Sequence, residues 1–215
     1  MPAAVPPPDL RHEQRLVALC GGVIAGMDEA GRGPLAGPVV AACVVLDFAA
    51  LPEGLADSKA LSRARRTQLA GDIRASARAV AVGQASVPEI DQLNILQASF
   101  LAMRRALARV SPCPAACLVD GRDVPPDLAC PAEAVIGGDA VSASVAAASI
   151  IAKVHRDALM ARLHRDYPDY GWDSNAGYGV RSHLKALDMV GPSPHHRKSF
   201  GPVAKILAQK TCATA

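Results

Sequence analysis

The chain has 215 residues, half of them hydrophobic and a fifth charged, which suits one well-buried core and argues against wholesale disorder. Its apolar runs, such as the stretch "VVAACVVL" at 39–46, are too short to cross a bilayer. The net charge of +3 is unevenly spread: residues 1–150 carry 13 Lys and Arg against 15 Asp and Glu, while residues 151–215 carry 10 against 5. That basic final third suits a polyanionic partner.

In chain order, "MPAAVPPPDLRHEQ" lacks the basic-then-apolar pattern of a secretory signal and reads as a disordered leader over residues 1–20 of a cytoplasmic protein. "GGVIAGMDEAG" reads as a first strand, apolar to Met27, with Asp28 at its end. "GPVVAACVVLDF" is a second, apolar throughout and so buried on both faces. Ser62 is placed to cap a basic helix, and "RAVAVGQASV" alternates as a third strand. Pro88 opens one long helix to about Val110, with Ile90, Leu93, Leu96, Phe100, Met103 and Leu107 along its buried stripe. "PAACLVDG" and "PAEAVIGGD" supply strands four and five, followed by a long Ala- and Ser-rich helix, a glycine-punctuated loop and short terminal helices. The sum is an α/β fold, a mixed sheet flanked by helices.

Three acids share one context. Asp28 follows "VIAGM", Asp120 follows "ACLV" and Asp139 follows "AVIGG", each where an apolar strand gives way to a glycine turn. Strand ends on one sheet edge lie side by side, so these acids and Glu29 are expected to converge. Clustered carboxylates repel one another, and a hard divalent cation such as Mg²⁺ or Mn²⁺ relieves that conflict. The plainer reading of any single one is a solvated strand-end acid. Gly31-Arg32-Gly33 directly after the pair is either a plain turn or a loop whose backbone approaches a ligand closely. The six cysteines form no C-x-x-C pair, so reduced and mostly buried thiols are expected. His195 and His196, beside basic residues, read as a solvated pair. Lys59, Lys153, Arg156, Arg197 and Lys198 are candidate phosphate contacts, with an Arg156–Asp157 salt bridge as the alternative for Arg156.

The segments "GMDEAGRGPLAGPVVAA", "LADSKALS", "LNILQASFLAM", "LVDG", "GGDAVSASVAAASIIAKVHRD", "GYG" and "HHRKSFGPV" resemble, in order, the successive motifs of bacterial ribonuclease HII. The resemblance runs from about residue 23 to 203. It implies a ribonuclease H-like catalytic core over 21–160, with a small helical C-terminal region over 161–215 completing the substrate groove. It implies an endonuclease that cuts the RNA strand of RNA–DNA hybrids and incises at ribonucleotides embedded in duplex DNA, leaving 3′-hydroxyl and 5′-phosphate ends. On the same grounds, Asp28, Glu29, Asp120 and Asp139 are the catalytic carboxylates and ligands of two Mn²⁺ or Mg²⁺ ions. Gly31, Arg32, Gly33, Lys59 and Tyr178 are the substrate contacts, Tyr178 sensing the ribose. Ala60 stands where many relatives have a second lysine. A monomer is expected. The competing readings are a resolvase-like, structure-specific DNA nuclease on the same core, or a binding module without catalysis.

Overall fold

A computed structural model describes residues 7–212, the side chains of 210–212 excepted. Five strands form one sheet: β1 (Ile24–Ala30), β2 (Val39–Val45), β3 (Ala79–Ala85), β4 (Ala116–Asp120) and β5 (Ala132–Val135), in the order β3-β2-β1-β4-β5. β1 pairs antiparallel with β2 and parallel with β4, β2 pairs antiparallel with β3, and β4 pairs parallel with β5. The mixed sheet thus has a parallel half, and the carboxyl ends of β4 and β5 open on the same edge.

Helices α1 (Arg11–Cys20), α2 (Arg63–Ser76), α3 (Val87–Leu93), α4 (Ile95–Leu107), α5 (Gly138–Val141), α6 (Ala143–Asp166), α7 (Trp172–Asn175), α8 (Arg181–Val190) and α9 (Gly201–Cys212) surround the sheet. Strand alternation divides its core. Ala25, Met27, Ala41, Cys43, Cys117 and Val119 face α4 through Phe100 and Met103. Ala42 and Val44 face α6 through Ala147, Ile150 and Ile151. Gly26 allows that second contact, because a Cβ there would lie 2.1 Å from the backbone carbon of Ser144. A third cluster joins Leu35, Ala36 and Met160 to Tyr170, Trp172, Leu187 and Val203.

Four expectations change. Residues 11–20 of the expected disordered leader form a helix. Its Leu16 packs with Ile24, Leu118 and Val145, and its fully buried Glu13 accepts bonds from the Ser142 and Ser144 hydroxyls and the Ser144 amide. The charge of "RHEQR" hides this dock, because the one acid in it is spent inside the protein, on the start of α6. Residues 1–6 lie outside the described residues. The long helix expected from Pro88 to Val110 is two, since Asn94 takes a positive φ of 71° and its side chain caps α4 by accepting from Leu96 and Gln97. β1 continues to Ala30, so Asp28 and Glu29 lie within the strand and not beyond it. Of the cysteines, Cys43 and Cys117 are buried, but Cys20 and Cys113 are exposed.

Deleting residues 1–20 is therefore expected to destabilise the protein by about 3 kcal/mol, most of it from unburying Leu16 and exposing its neighbours, a fall of roughly 6–12 °C in Tm. Thermal denaturation of the truncated chain checks this, and an unchanged Tm would show that α1 contributes nothing.

Candidate active site

Consecutive residues on a strand point to opposite faces, so Asp28 and Glu29 diverge around the sheet. Asp28 follows Gly26 onto the α6 face, next to the Ser149 hydroxyl. One step beyond the Met27–Val119 pairing, the register sets Asp120 at the end of β4 beside it. Glu29 turns toward α4, where a small second cavity is lined by Leu96, Ser99, Phe100 and Asp120. Asp139 sits in the first turn of α5, just past the Gly137-Gly138 turn that follows β5.

The main cleft has a volume of about 470 Å³. Asp28, Glu29, Asp120, the Gly31-Arg32-Gly33 loop, Lys59 and Tyr178 all line it, and Ala30, Ser58, Arg66, Ser149, Lys153 and Arg156 complete the wall. Asp139 reaches the cleft through its ion pair with Lys59, 3.2 Å away. Tyr178 is about half exposed and lies against Gly33, whose Cβ position would be 3.4 Å from the ring. The sequence reading passed over Ser58, Arg66 and Ser149. Ser58 and Ser149 are joined by a 2.9 Å hydroxyl contact, and Arg66 holds the carbonyls of Ser58 and Leu61. A serine inside the alanine run of α6 was the available signal for Ser149.

The charges oppose one another. Burial, then Glu29 and Asp120 as like charges, push the Asp28 carboxyl well above the usual range, although the Ser149 hydroxyl and the Glu29 amide at 2.7 Å offset part of this. Glu29 is raised by burial, offset by Arg32 at 3.2 Å. Asp120 is raised by burial and by Asp139, offset by the Gly138 amide at 2.7 Å. Among the described residues, no three His, Cys, Asp or Glu side chains are gathered closely enough to hold an ion as they stand. Lys59 and Arg32 occupy two of the carboxylates instead. The donor chemistry nevertheless fits a hard divalent cation: carboxylates held close together with all-oxygen donors, two of them paired with exposed, displaceable side chains.

Several candidate phosphate contacts lie elsewhere. Arg197 is fully buried away from the cleft and Arg156, although it borders the cleft, is 1% exposed, because each guanidinium is taken up by three backbone carbonyls. Asp157 pairs with Lys153, one helical turn away, and not with Arg156. The Lys198 amide is held by Asp91. His196 is not solvated. It packs in an aromatic cluster with Tyr170 and Trp172, accepts from the Ser193 amide at Nδ1, and contacts His183 at 2.9 Å. Burial, then His183, push its imidazole down to about 4, so it is neutral at physiological pH. His183 completes the relay with its Nδ1 on the Tyr178 carbonyl.

Residues 25–203 match the family described as Ribonuclease HII. A ribonuclease HII of Ruegeria pomeroyi is 56% identical over 203 residues, covering 94% of this chain and 86% of that protein. A ribonuclease HII of Rhodospirillum rubrum is 55% identical over 218 residues, covering 97% and 98%. Among solved structures, the ribonuclease H2 of Pyrococcus horikoshii OT3 superposes with a TM-score of 0.73 at 28% identity, covering 87% of this chain and 98% of that one. A structure of Bst-RNase HIII in complex with Mn²⁺ reaches 0.69 at 21% identity, covering 87% and 70%, a likeness of fold.

Proposed function

Because the chain belongs to the ribonuclease HII family, we propose that it cuts the RNA strand of RNA–DNA hybrids and incises duplex DNA at embedded ribonucleotides, leaving 3′-hydroxyl and 5′-phosphate ends. It is a metal-dependent endonuclease that hydrolyses phosphodiester bonds. One observation carries the assignment to this cleft: Asp28 is buried against Asp120 and Glu29 at the floor, while the rim is a glycine loop and an exposed tyrosine.

Asp28, Glu29, Asp120 and Asp139 would hold Mn²⁺ or Mg²⁺. When bound, such ions supply activation of the attacking water and stabilisation of the leaving oxygen. The protein's own groups do the rest. Lys59 and Lys153 meet phosphates, and Arg66 fixes the turn that carries Lys59. Amides of the Gly31–Gly33 loop donate to the 2′-hydroxyl, the group that separates RNA from DNA at one site. The Tyr178 ring packs on the neighbouring sugar. Residues 21–160 thus carry the acids, and residues 161–215 close the groove through Tyr178. We assign the enzyme to the cytoplasm as a monomer; among the described residues no helix is long and apolar enough to cross a membrane.

The test is a duplex carrying one ribonucleotide, incubated with Mn²⁺, Mg²⁺ or chelator, with both product ends mapped. Cleavage is expected on the 5′ side of a phosphate, dependent on the ion and lost when the ribonucleotide becomes a deoxyribonucleotide. Cutting that persists on the all-DNA duplex, or on branched DNA alone, would instead favour the resolvase-like reading.

Lys59 gives a second measurement. Its side chain is 80% exposed, so Lys59→Ala is expected to weaken binding to hybrid and DNA duplex alike. The slope of log affinity against log salt should become shallower by about 0.9, one phosphate contact's worth. An unchanged slope would leave Lys59 as a partner of Asp139 only.

A further inference from the structure

Arg156 and Arg197 are 1% and 0% exposed, and neither is in a salt bridge among the described residues. Among the described residues, their six side-chain hydrogen bonds all run to backbone carbonyls. Arg197 donates to Gly31 at 2.6 Å, Arg32 at 2.9 Å and Gly37 at 3.0 Å. Arg156 donates to Ala36 at 3.0 Å, Pro38 at 3.1 Å and Ala176 at 2.9 Å. Five of these six carbonyls belong to the single loop between β1 and β2. The sixth lies two residues before Tyr178.

We infer that Arg156 and Arg197 are positioning residues for ribose recognition, holding the Gly31–Pro38 loop and the Tyr178 loop in one fixed arrangement; this rests on the substrate reading above. The geometry of the peptide unit supplies the reason. In a trans peptide the C=O and the next residue's N–H point in opposite directions. Arg197 draws the carbonyls of Gly31 and Arg32 inward, which turns the amides of Arg32 and Gly33 outward, and both residues line the cleft. Arg156 bonds on one side to Ala36 and Pro38 and on the other to Ala176, so the amide donors and the tyrosine cannot shift independently. The Leu35 amide on the Gly177 carbonyl at 2.8 Å adds a direct link between the two loops. Three carbonyls arranged around one planar group require a guanidinium fork, because an ammonium on a flexible stem cannot span them. Burial pushes Arg156 down to about 10 and Arg197 to about 9, and both remain charged at neutral pH. The donors offered to the 2′-oxygen are therefore fixed before the substrate arrives, which is what discrimination by hydrogen bonding needs.

Arg197→Lys and Arg156→Lys keep the charge and remove the fork. Binding is measured with Ca²⁺ to two duplexes that differ in a single 2′-hydroxyl, together with Tm and with kcat and KM on the ribonucleotide duplex in Mn²⁺. Each variant is expected to fold and to keep its affinity for the all-DNA duplex, while the preference for the ribonucleotide duplex falls by roughly tenfold and KM rises more than kcat falls. An unchanged preference would show that the arginines only fill the core. Equal loss on both duplexes would show a general attraction of buried charge for phosphate, and failure of both variants to fold would show that they hold the fold and not the loop. Each of these overturns the proposal. Absence of any preference in the unaltered enzyme would overturn the substrate reading instead.

Discussion

Asp28→Asn is expected to lower metal-dependent cleavage by about a thousandfold or more while making the metal-free protein more stable than its parent at pH 8. The loss follows from charge. Asparagine keeps the shape but gives up the anion that holds the ion, and several kcal/mol of lost transition-state stabilisation corresponds to about three decades in rate. The gain in stability follows from the same burial. The folded-state pKa of Asp28 is raised above its unfolded value, mainly by desolvation and then by Glu29 and Asp120. Below the unfolded pKa the carboxyl is neutral in both states and costs nothing. As pH rises through the folded pKa, the folded protein must carry a buried anion that the unfolded chain solvates freely, so stability is lost. The amide never ionises, so the difference in Tm between variant and parent should be largest at pH 8 and shrink as pH falls toward 4. Divalent ion should raise the parent's Tm and leave the variant's nearly unchanged, since binding to the folded state alone stabilises it. A variant less stable than the parent at pH 8 without metal would show that the Ser149 and Glu29 contacts outweigh desolvation.

The sheet was legible because its signals are local. β2 reads as apolar at every position and is buried at every position, β4 is likewise a short apolar run bounded by turns, and β3 shows in its alternation. The acids were legible because charge at the margin of an apolar run is conspicuous. What sequence could not give was direction. Asp28 and Glu29 are adjacent in the chain but serve opposite faces, and only the pairing of β1 with β4 sets Asp120 beside the first. The arginines misled for a related reason. A basic residue in a basic segment reads as surface, yet Arg156 and Arg197 are buried because loop carbonyls far away in sequence converge on them. Helix α1 misled likewise: the charged "RHEQR" looks solvated until Ser142 and Ser144, some 130 residues later, receive Glu13. Long-range polar contacts leave no periodicity to read.

Gly31 and Gly33 looked equivalent in sequence, and the structure makes them unequal, so the two alanine variants should part sharply. Gly31 has a φ of 101°, a region that alanine rarely adopts, and a Cβ there would lie 2.0 Å from Nε and 2.5 Å from Cδ of Arg156. That side chain is buried and tied to three carbonyls, so it cannot swing aside at little cost. Gly31→Ala is therefore expected to lower cleavage at a single embedded ribonucleotide by about a hundredfold, with backbone strain and a displaced amide acting together. Gly33 has no positive φ, and its Cβ would meet only the Tyr178 ring at an ordinary 3.4 Å. The protein alone tolerates Gly33→Ala, so its Tm should stay within about 1–2 °C of the parent. Any loss of cleavage by that variant then reports the closeness of the substrate and not damage to the loop. Tyr178→Ala completes the comparison. It should reduce cleavage more on the single embedded ribonucleotide than on a continuous hybrid, where a neighbouring ribose can be chosen instead, and Tyr178→Phe should be milder because only a hydroxyl is lost, worth about 0.5–1.5 kcal/mol. The measurement is kcat/KM of the four variants on both substrates. Equal losses on the two substrates for Tyr178→Ala would make the tyrosine a general docking surface, and a Gly31→Ala enzyme as active as Gly33→Ala would show that Arg156 yields to the new methyl group.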